Sequence, residues 1–211
     1  MTVDAWVASF EYPDDCWYAL DMTAEDAAER VAQAVADRGG PRDQEYAEAV
    51  YPELTAIRES AAAREASPVV VFVPPEPLPT RPLVPVTVFC APVASPADGV
   101  GVEGLAELAR QPRPYRYRDP LVSLVELPAG PACRVHELVL DDPGEDGRRG
   151  LVEYVSYYVA PPGYPRGLIE LTVTWPSPTL GAALVETADE IALTLALRST
   201  SDDPRASALA L

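Results

Sequence analysis

Apolar residues along this chain fall into short runs typical of β-strands and into longer stretches with the spacing of helices. Near the start, Val3–Phe10 and Cys16–Leu20 predict two strands on either side of a turn at Pro13–Asp15. Val69–Val73, which is built almost wholly of valine, predicts a buried strand. Val86–Cys90 predicts a further strand after a proline-dense connector. The first half of the chain therefore supplies four strands.

Two helices are predicted between the second and third of these strands. Thr23 and Asp26 have the spacing of a capping box and predict the start of the first helix, which Gly39–Gly40 should end. The second helix should cover residues 42–65, and Pro52 should kink it or split it in two. Its apolar face is formed by residues spaced four, four and three apart: Tyr46, Val50, Leu54 and Ile57.

The C-terminal half has the clearest pattern, four strands followed by one long amphipathic helix. A short helix at residues 101–110, with Leu105 and Leu108 as its apolar positions, precedes them. The strands are predicted at Leu121–Leu127, Ala132–Leu140, Leu151–Val159 and Leu168–Trp175. The third is apolar on both faces, so it should be central and covered on both sides. Ser177 and Pro178 predict the start of the final helix, whose apolar stripe recurs every three to four residues at Leu180, Leu184, Ala188, Ile191 and Leu195.

The last of these strands alternates regularly between two kinds of side chain. Its apolar face carries Ile169, Leu171, Val173 and Trp175, and its polar face carries Glu170, Thr172 and Thr174. Together the elements predict an α+β fold, an α/β/α sandwich whose curved, mainly antiparallel sheet is covered by the N-terminal helices and by the C-terminal helix. One domain is expected over residues 1–198, followed by a flexible tail over residues 199–211.

The composition is strongly acidic. The 211 residues include 33 Asp and Glu and 16 basic residues, all of them arginine, so the net charge is −17. Such a charge repels nucleic acid and anionic membranes. The first residues lack a secretory signal, and no apolar run is long enough to cross a membrane. We therefore expect a cytoplasmic protein that neither binds nucleic acid nor inserts into a membrane.

Residues suited to catalysis are few and scattered. His136 is the only histidine, and regular alternation along its strand would point it away from Cys133, which argues against a Cys–His pair. The other two cysteines, Cys16 and Cys90, are far apart and form no CxxC motif. No Gly-x-Ser-x-Gly motif occurs. The sequence therefore predicts no enzyme, no catalytic residue, no cofactor and no metal site.

Two loops superficially match ligand-binding motifs. Asp142–Gly147 aligns with a calcium-binding EF-hand loop that would end on Glu153, but Gly144 falls where a ligand is needed and the flanks are strands. An acidic hairpin loop is the preferred interpretation. Gly99–Gly104 has the spacing of a dinucleotide-binding motif, but no strand leads directly into it and no βαβ unit surrounds it.

One segment is basic in this acidic chain, and it interleaves arginine with tyrosine. Its candidate surface residues are Arg113, Tyr115, Arg116, Tyr117 and Arg118. Such a pattern can bind single-stranded nucleic acid, but the net charge of −17 and the lack of a second basic patch argue against it. Two interpretations follow, a connector that lies against the protein's own acidic surface and a surface that contacts an acidic partner.

Four segments together resemble a known family pattern: Ala129–Ala132 after an apolar strand, and then Tyr154–Val159, Ile169–Trp175 and Ala188–Ala192. A fifth, Trp17–Asp21 before a helix, is similar to an element of one group of cytoplasmic actinobacterial proteins. The pattern is similar to the PsbP-like α/β/α sandwich of photosystem and nuclear-import factors. It resembles more closely the LpqN-type actinobacterial lipoproteins and a group of cytoplasmic actinobacterial proteins. Unlike the lipoproteins, this sequence has no signal and no cysteine for lipidation near Met1. The resemblance implies protein binding and supplies no catalytic residues.

These observations favour a non-enzymatic cytoplasmic protein that binds another protein, as an adaptor, a chaperone or an accessory of secretion. The link to secretion comes from the resemblance alone, since related actinobacterial proteins accompany type VII secretion components. The alternative is a module that binds a small ligand in a cavity between the sheet and the helices. An enzyme of unknown type is the third hypothesis, and the scattered reactive residues argue against it.

Overall fold

A computed structural model of the protein describes residues 6–79, 81–93, 100–141, 149–176 and 180–200. Within these ranges lie nine strands and four helices. In chain order they are β1 (Trp6–Ser9), β2 (Trp17–Leu20), α1 (Ala27–Ala36), α2 (Asp43–Ala63), β3 (Val69–Phe72), β4 (Val86–Val93), α3 (Val102–Arg110), β5 (Leu121–Leu127), β6 (Gly130–Leu140), β7 (Leu151–Val159), β8 (Leu168–Trp175), α4 (Gly181–Thr194) and β9 (Ala196–Ser199).

Seven of these strands form one antiparallel sheet in the order β2-β3-β4-β8-β7-β6-β5. β8 is its middle strand, and β2 and β5 are its edges. β1 and β9 pair as a small second sheet. At the turn between β5 and β6, Gly130 has a φ of +134°, and a Cβ atom there would lie 2.6 Å from the carbonyl oxygen of Ala160. The predicted α+β class and antiparallel sheet are confirmed.

The two faces of the large sheet are covered by different helices. On the first face, called here the α4 face, the predicted apolar side of β8 packs against α4 in a cluster that includes Ile169, Leu171, Val173, Trp175, Ala188, Ile191 and Leu195. On the second face, called here the α2 face, α1 and α2 cover β2, β3 and part of β4, and α3 covers β6. Three apolar clusters therefore hold together a layer of helices, a sheet and a second layer of helices.

The first helix begins later than the sequence predicted. Both the backbone N–H and the hydroxyl of Thr23 donate to Asp21 Oδ1, at 2.9 and 2.7 Å. Thr23 therefore closes a turn instead of capping a helix, and α1 begins at Ala27. Its buried side carries Val31 and Val35, as the pattern predicted.

Pro52 does not split the second helix, because α2 is continuous from Asp43 to Ala63. A proline inside a helix removes one backbone hydrogen bond and crowds the preceding turn. In α2 the predicted apolar face continues on both sides of Pro52, where Tyr46, Val50 and Leu54 are all buried in the cluster that contains β3. Burial of this face stabilises both halves of the helix and outweighs the lost bond.

After α4, the observed secondary structure differs from the one that the sequence predicted. α4 ends at Thr194, and the next residues form β9, a strand that the pattern did not predict. Ser199, predicted as the first residue of a flexible tail, is the last residue of β9 and is buried. The predicted helix start at Ser177 and Pro178, and the tail at 201–211, lie outside the described residues.

We expect the end of α4 to be a sensitive point of the core. Leu195 is fully buried against β8, whereas Leu193, two residues earlier, is 58% exposed. Leu195→Ala should therefore lower the free energy of unfolding by about 2–5 kcal/mol, and Leu193→Ala should change it by less than about 0.5 kcal/mol. Urea denaturation of both variants measures the difference, and equal losses would contradict the packing described here.

The buried tyrosine of α2 makes stability depend on alkaline pH. The hydroxyl of Tyr46 donates to the carbonyl oxygen of Leu83 at 3.3 Å, and burial raises the pKa of Tyr46 from 10.0 to about 12. Since the folded-state pKa is raised, the stability contribution is complete below pH 10 and is lost as pH rises toward 12. The free energy of unfolding of Tyr46→Phe should fall less steeply there, by up to about 1.4 kcal/mol per pH unit. Tyr51→Phe, an exposed position on the same helix, is the control and should keep the slope of the unmodified chain.

Candidate interaction surface

The basic segment and β5 together form one edge of the large sheet. β5 pairs with the first part of β6, from Gly130 to His136. The rest of β6 pairs with Tyr115–Tyr117, since the Tyr117 N–H donates to the carbonyl oxygen of Leu138 at 2.9 Å. Among the described residues, no strand pairs with the outer side of β5. Its backbone donors and acceptors on that side are therefore available to an added strand.

Exposed apolar side chains concentrate at this edge. The described residues include nine large hydrophobic side chains that are exposed, and five of the nine lie between residues 108 and 124. We call these five the edge surface: Leu108, Tyr115, Tyr117, Leu121 and Leu124. Tyr117 is 63% exposed and Leu121 is 60% exposed, although both belong to paired segments of a sheet. Scattered single apolar residues need no explanation, whereas a concentration of them is typical of interaction sites, so the edge surface is the candidate site of this protein.

The register of the sheet places the edge surface on both of its faces. Tyr117 lies opposite Leu138 and Leu121 lies opposite His136, which puts both on the α4 face. Leu124, three residues further, lies opposite Cys133 on the α2 face. Leu108 extends from α3, where the helix buries Val102 and Ala106 and leaves Leu108 out. A strand added to β5 would thus find apolar side chains on either side.

Arg116 is a structural residue, not part of the exposed surface predicted from the sequence. Its side chain is only 9% exposed, and its Nε forms an ion pair with Glu137 Oε2 at 2.7 Å. Its Nη1 donates to the carbonyl oxygens of Ala109 and Gln111, at 2.7 Å each. The interpretation of a connector that lies against the protein's own acidic side chains therefore describes Arg116. The alternation Tyr-Arg-Tyr was the sequence signal that Arg116 differs from its neighbours, because adjacent residues in an extended segment point to opposite faces.

The other two arginines of the predicted surface remain accessible. Arg113 is exposed at the turn before the paired segment. Arg118 is about half exposed, and its Nη2 lies 3.9 Å from Glu153 Oε1, at the limit of an ion pair. Arg110, at the end of α3, donates weakly to the carbonyl oxygen of Val122 at 3.4 Å. Arginines therefore border the edge surface, together with the exposed acidic residues Asp119 and Glu126, in a chain whose net charge is −17.

A buried polar network lies directly behind the edge surface on the α4 face. Glu153 accepts a hydrogen bond from Trp175 Nε1 at 3.0 Å, and its other oxygen lies 2.6 Å from His136 Nε2. At the start of α4, a Cβ atom on Gly181 would lie 2.6 Å from Glu153 Oε2, so only glycine fits there without rearrangement. The network joins β6, β7, β8 and α4. It suits a packing role, since both ionisable side chains are buried.

A second polar network follows along the same strands. Arg134 Nε lies 2.8 Å from Asp189 Oδ1 and Nη2 lies 3.3 Å from Oδ2, which forms a two-point ion pair between β6 and α4. The hydroxyl of Tyr157 donates to the same carboxylate. Burial raises the pKa of Tyr157, so its hydroxyl stays protonated and donating. The two networks fasten the sheet beside its edge to α4.

Sequence reasoning treated His136 correctly and overlooked its partner. Cys133 packs in the cluster under α3, on the face opposite His136, so the predicted separation of the two side chains is confirmed. Glu153 was considered only as the last position of a calcium loop, whereas the register of β6 and β7 brings it to His136. No signal in the sequence could have found this pair, because the pairing register joins residues 17 positions apart.

The remaining chemistry of the described residues is sparse. No group of three or more His, Cys, Asp or Glu side chains is close enough to hold a metal within the parts of the chain that the structure describes. Burial raises the pKa of the Cys90 thiol to about 12 and also raises that of Cys133. The loop Asp142–Gly147, considered above for calcium, lies outside the described residues. Within the described ranges, no helix is long and apolar enough to span a membrane.

Comparison with solved structures shows a similar fold at low sequence identity. The chain is similar to "Crystal structure of LpqN involved in cell envelope biogenesis of Mycobacterium tuberculosis", at 12% sequence identity and a TM-score of 0.48. The match covers 92% of this chain and 84% of that chain. No protein-family model matches the sequence, and no curated protein matches it. At this identity and TM-score the match carries no argument about function, and the PsbP-like assignment stays a prediction.

The two roles assigned to the arginines can be separated by a matched pair of variants. Arg116→Ala removes a buried ion pair and two hydrogen bonds, so it should lower the free energy of unfolding by about 2–3 kcal/mol. Arg113→Ala removes an exposed side chain and should change it by less than about 0.5 kcal/mol. Chemical denaturation of both variants decides the assignment. If Arg116→Ala is as stable as Arg113→Ala, Arg116 has no structural role.

Proposed function

We propose that this protein is a non-enzymatic binding protein that holds another protein at its edge surface. The observation that carries the proposal is the concentration of exposed apolar side chains around β5, five of the nine among the described residues. Exposing Tyr117 and Leu121 costs free energy in water, and contact with a partner would recover it. The cytoplasmic location expected from the sequence stays a prediction beside this proposal.

The geometry suits addition of an extended segment to β5. An edge strand offers a row of backbone N–H and C=O groups, and the partner's backbone can pair with them as a further strand. Alternate side chains of the added segment would then meet Leu121 on one face and Leu124 on the other. Affinity would come from the backbone pairing and selectivity from these apolar contacts.

The charge around the edge favours an acidic partner segment. Arg113 and Arg118 border the edge surface, while the whole chain carries a net charge of −17. An acidic segment is repelled by most of this protein and attracted at the edge, which directs it to β5. Of the roles predicted from the sequence, an adaptor fits best, because a chaperone for unfolded chains needs a broader apolar surface than one edge strand.

The polar networks behind the edge support binding rather than catalysis. His136 and Glu153 are the pair best suited to acid–base chemistry, but both are buried and already joined to each other. Asp189 is likewise engaged by Arg134 and Tyr157. Their contacts fasten the sheet to α4, which would keep β5 rigid and ready for a partner.

Site-specific loss of a partner tests the proposal. A variant carrying Leu121→Glu and Leu124→Glu places charge at the edge on exposed positions, where the fold should tolerate it. The control carries Leu180→Glu and Leu193→Glu, which make the same change in charge at exposed positions in and next to α4. Affinity capture from the native host, quantified by mass spectrometry, should return a stoichiometric protein with the unmodified chain and the control, and at least tenfold less with the edge variant. Equal recovery of all captured proteins by the edge variant and the control would contradict the proposal.

A further inference from the structure

The middle of the sheet is rich in polar side chains on its α2 face, which includes the side of β8 that the sequence predicted to be polar. Six residues of two central strands are polar or amphipathic there, namely Tyr154, Ser156 and Tyr158 of β7 and Glu170, Thr172 and Thr174 of β8, while Val152 and Leu168 at the strand ends are apolar. The opposite face of β8 is wholly apolar. A central strand is normally covered by an apolar core, so this polar row calls for an explanation.

The most buried of these polar groups are joined to one another. Ser156 Oγ lies 2.7 Å from Thr172 Oγ1, and Thr172 donates to Glu170 Oε1 at 2.9 Å. Both hydroxyl residues are buried. Such a chain avoids the cost of unpaired buried groups, but it contributes less stability than apolar packing of the same volume. Of this row, Tyr154 and Thr174 line a cavity and can contact a ligand, whereas Ser156 and Thr172 are buried.

The helices leave room above part of this row. α2 packs over β3 and β4, and α3 packs over β6, on either side of the two central strands. A cavity of about 330 Å³ opens beside α2, within the range of small-molecule sites. Small residues of α2 line it from above, and Thr87, Phe89, Tyr154 and Thr174 line it from the sheet.

The cavity has one cation and no anion. The guanidinium group of Arg64, at the end of α2, lies 5.0 Å from the centre of the Phe89 ring and lines the cavity. Arg64 forms no ion pair with any residue that the structure describes, although acidic residues outnumber basic ones two to one in this chain. The ring holds the guanidinium in place, so its hydrogen-bond donors are free to meet a ligand.

We propose that this cavity binds a small organic anion, a carboxylate or a phosphate monoester on a compact apolar body. Arg64 pairs with the anionic group, as a planar guanidinium does with either oxyanion. Tyr154 and Thr174 line the polar side of the cavity. Ile57 and Phe89 provide the apolar wall for the body of the ligand. The site lies on the α2 face and is separate from the edge surface, so it does not depend on the function proposed above.

The test uses the full chain and three probes of nearly the same shape. Benzoate and phenyl phosphate carry the two anionic groups, and benzamide is the neutral control. Backbone amide NMR titration should show saturable shifts at the cavity residues for at least one anion and weaker binding, by about tenfold or more, for benzamide. Comparison of the two anions identifies which oxyanion the site prefers.

Variants of exposed residues keep the fold intact during the test. Arg64→Gln should weaken binding of the anion about tenfold, whereas Arg42→Gln, an equal loss of charge at the other end of α2, should not. Ala56→Trp, an exposed position that lines the cavity, should abolish binding by filling it. The proposal is overturned if neither anion binds, if benzamide binds as tightly, or if Arg64→Gln leaves the affinity unchanged. Capture of the protein partner should be unaffected by Arg64→Gln, so failure here and failure of the edge surface are distinct results.

Discussion

Burial of the apolar side of β8 beneath α4 is the interaction on which the rest of the structure depends. Trp175 and Leu171 on the strand meet Ile191 and Leu195 on the helix, and all four are almost completely excluded from water. Because β8 is the middle strand, this contact fixes the position of α4 against the sheet. The Glu153 network and the Arg134–Asp189 pair can then reach from the sheet to α4. Each of these polar contacts depends on the apolar packing of β8 against α4.

The sheet has a well-connected edge at β5 and a cavity beside α2 on its α2 face. Toward β5, Arg116 and the networks of Glu153 and Asp189 tie the connector, the sheet and α4 together. The edge surface is thus displayed on a well-supported strand, which lowers the cost of ordering when a partner binds. On the α2 face, by contrast, the helices cover the flanks of the sheet and leave a polar row and a cavity beside α2.

The two regions draw on the same compositional feature. The chain has 33 acidic residues against 16 arginines, and most of the described arginines are exposed. Among the ion-paired arginines of the described residues, Arg116 and Arg134 are largely buried and serve the fold. Arg113 at the edge and Arg64 at the cavity are two of the exposed arginines, and each carries positive charge at one of the two proposed binding sites.

The sequence by itself determined where most strands and helices lie, because apolar periodicity is a local property of the chain. The alternation in β8 and the helical face of Tyr46, Val50 and Leu54 could be read directly. Tertiary structure alone decided the rest. Continuity of α2 through Pro52, the strand β9, and the meeting of His136 with Glu153 all depend on contacts between residues distant in sequence. The same is true of Arg116, since only pairing with β6 decides which side of the Tyr-Arg-Tyr segment faces the protein and which faces a partner.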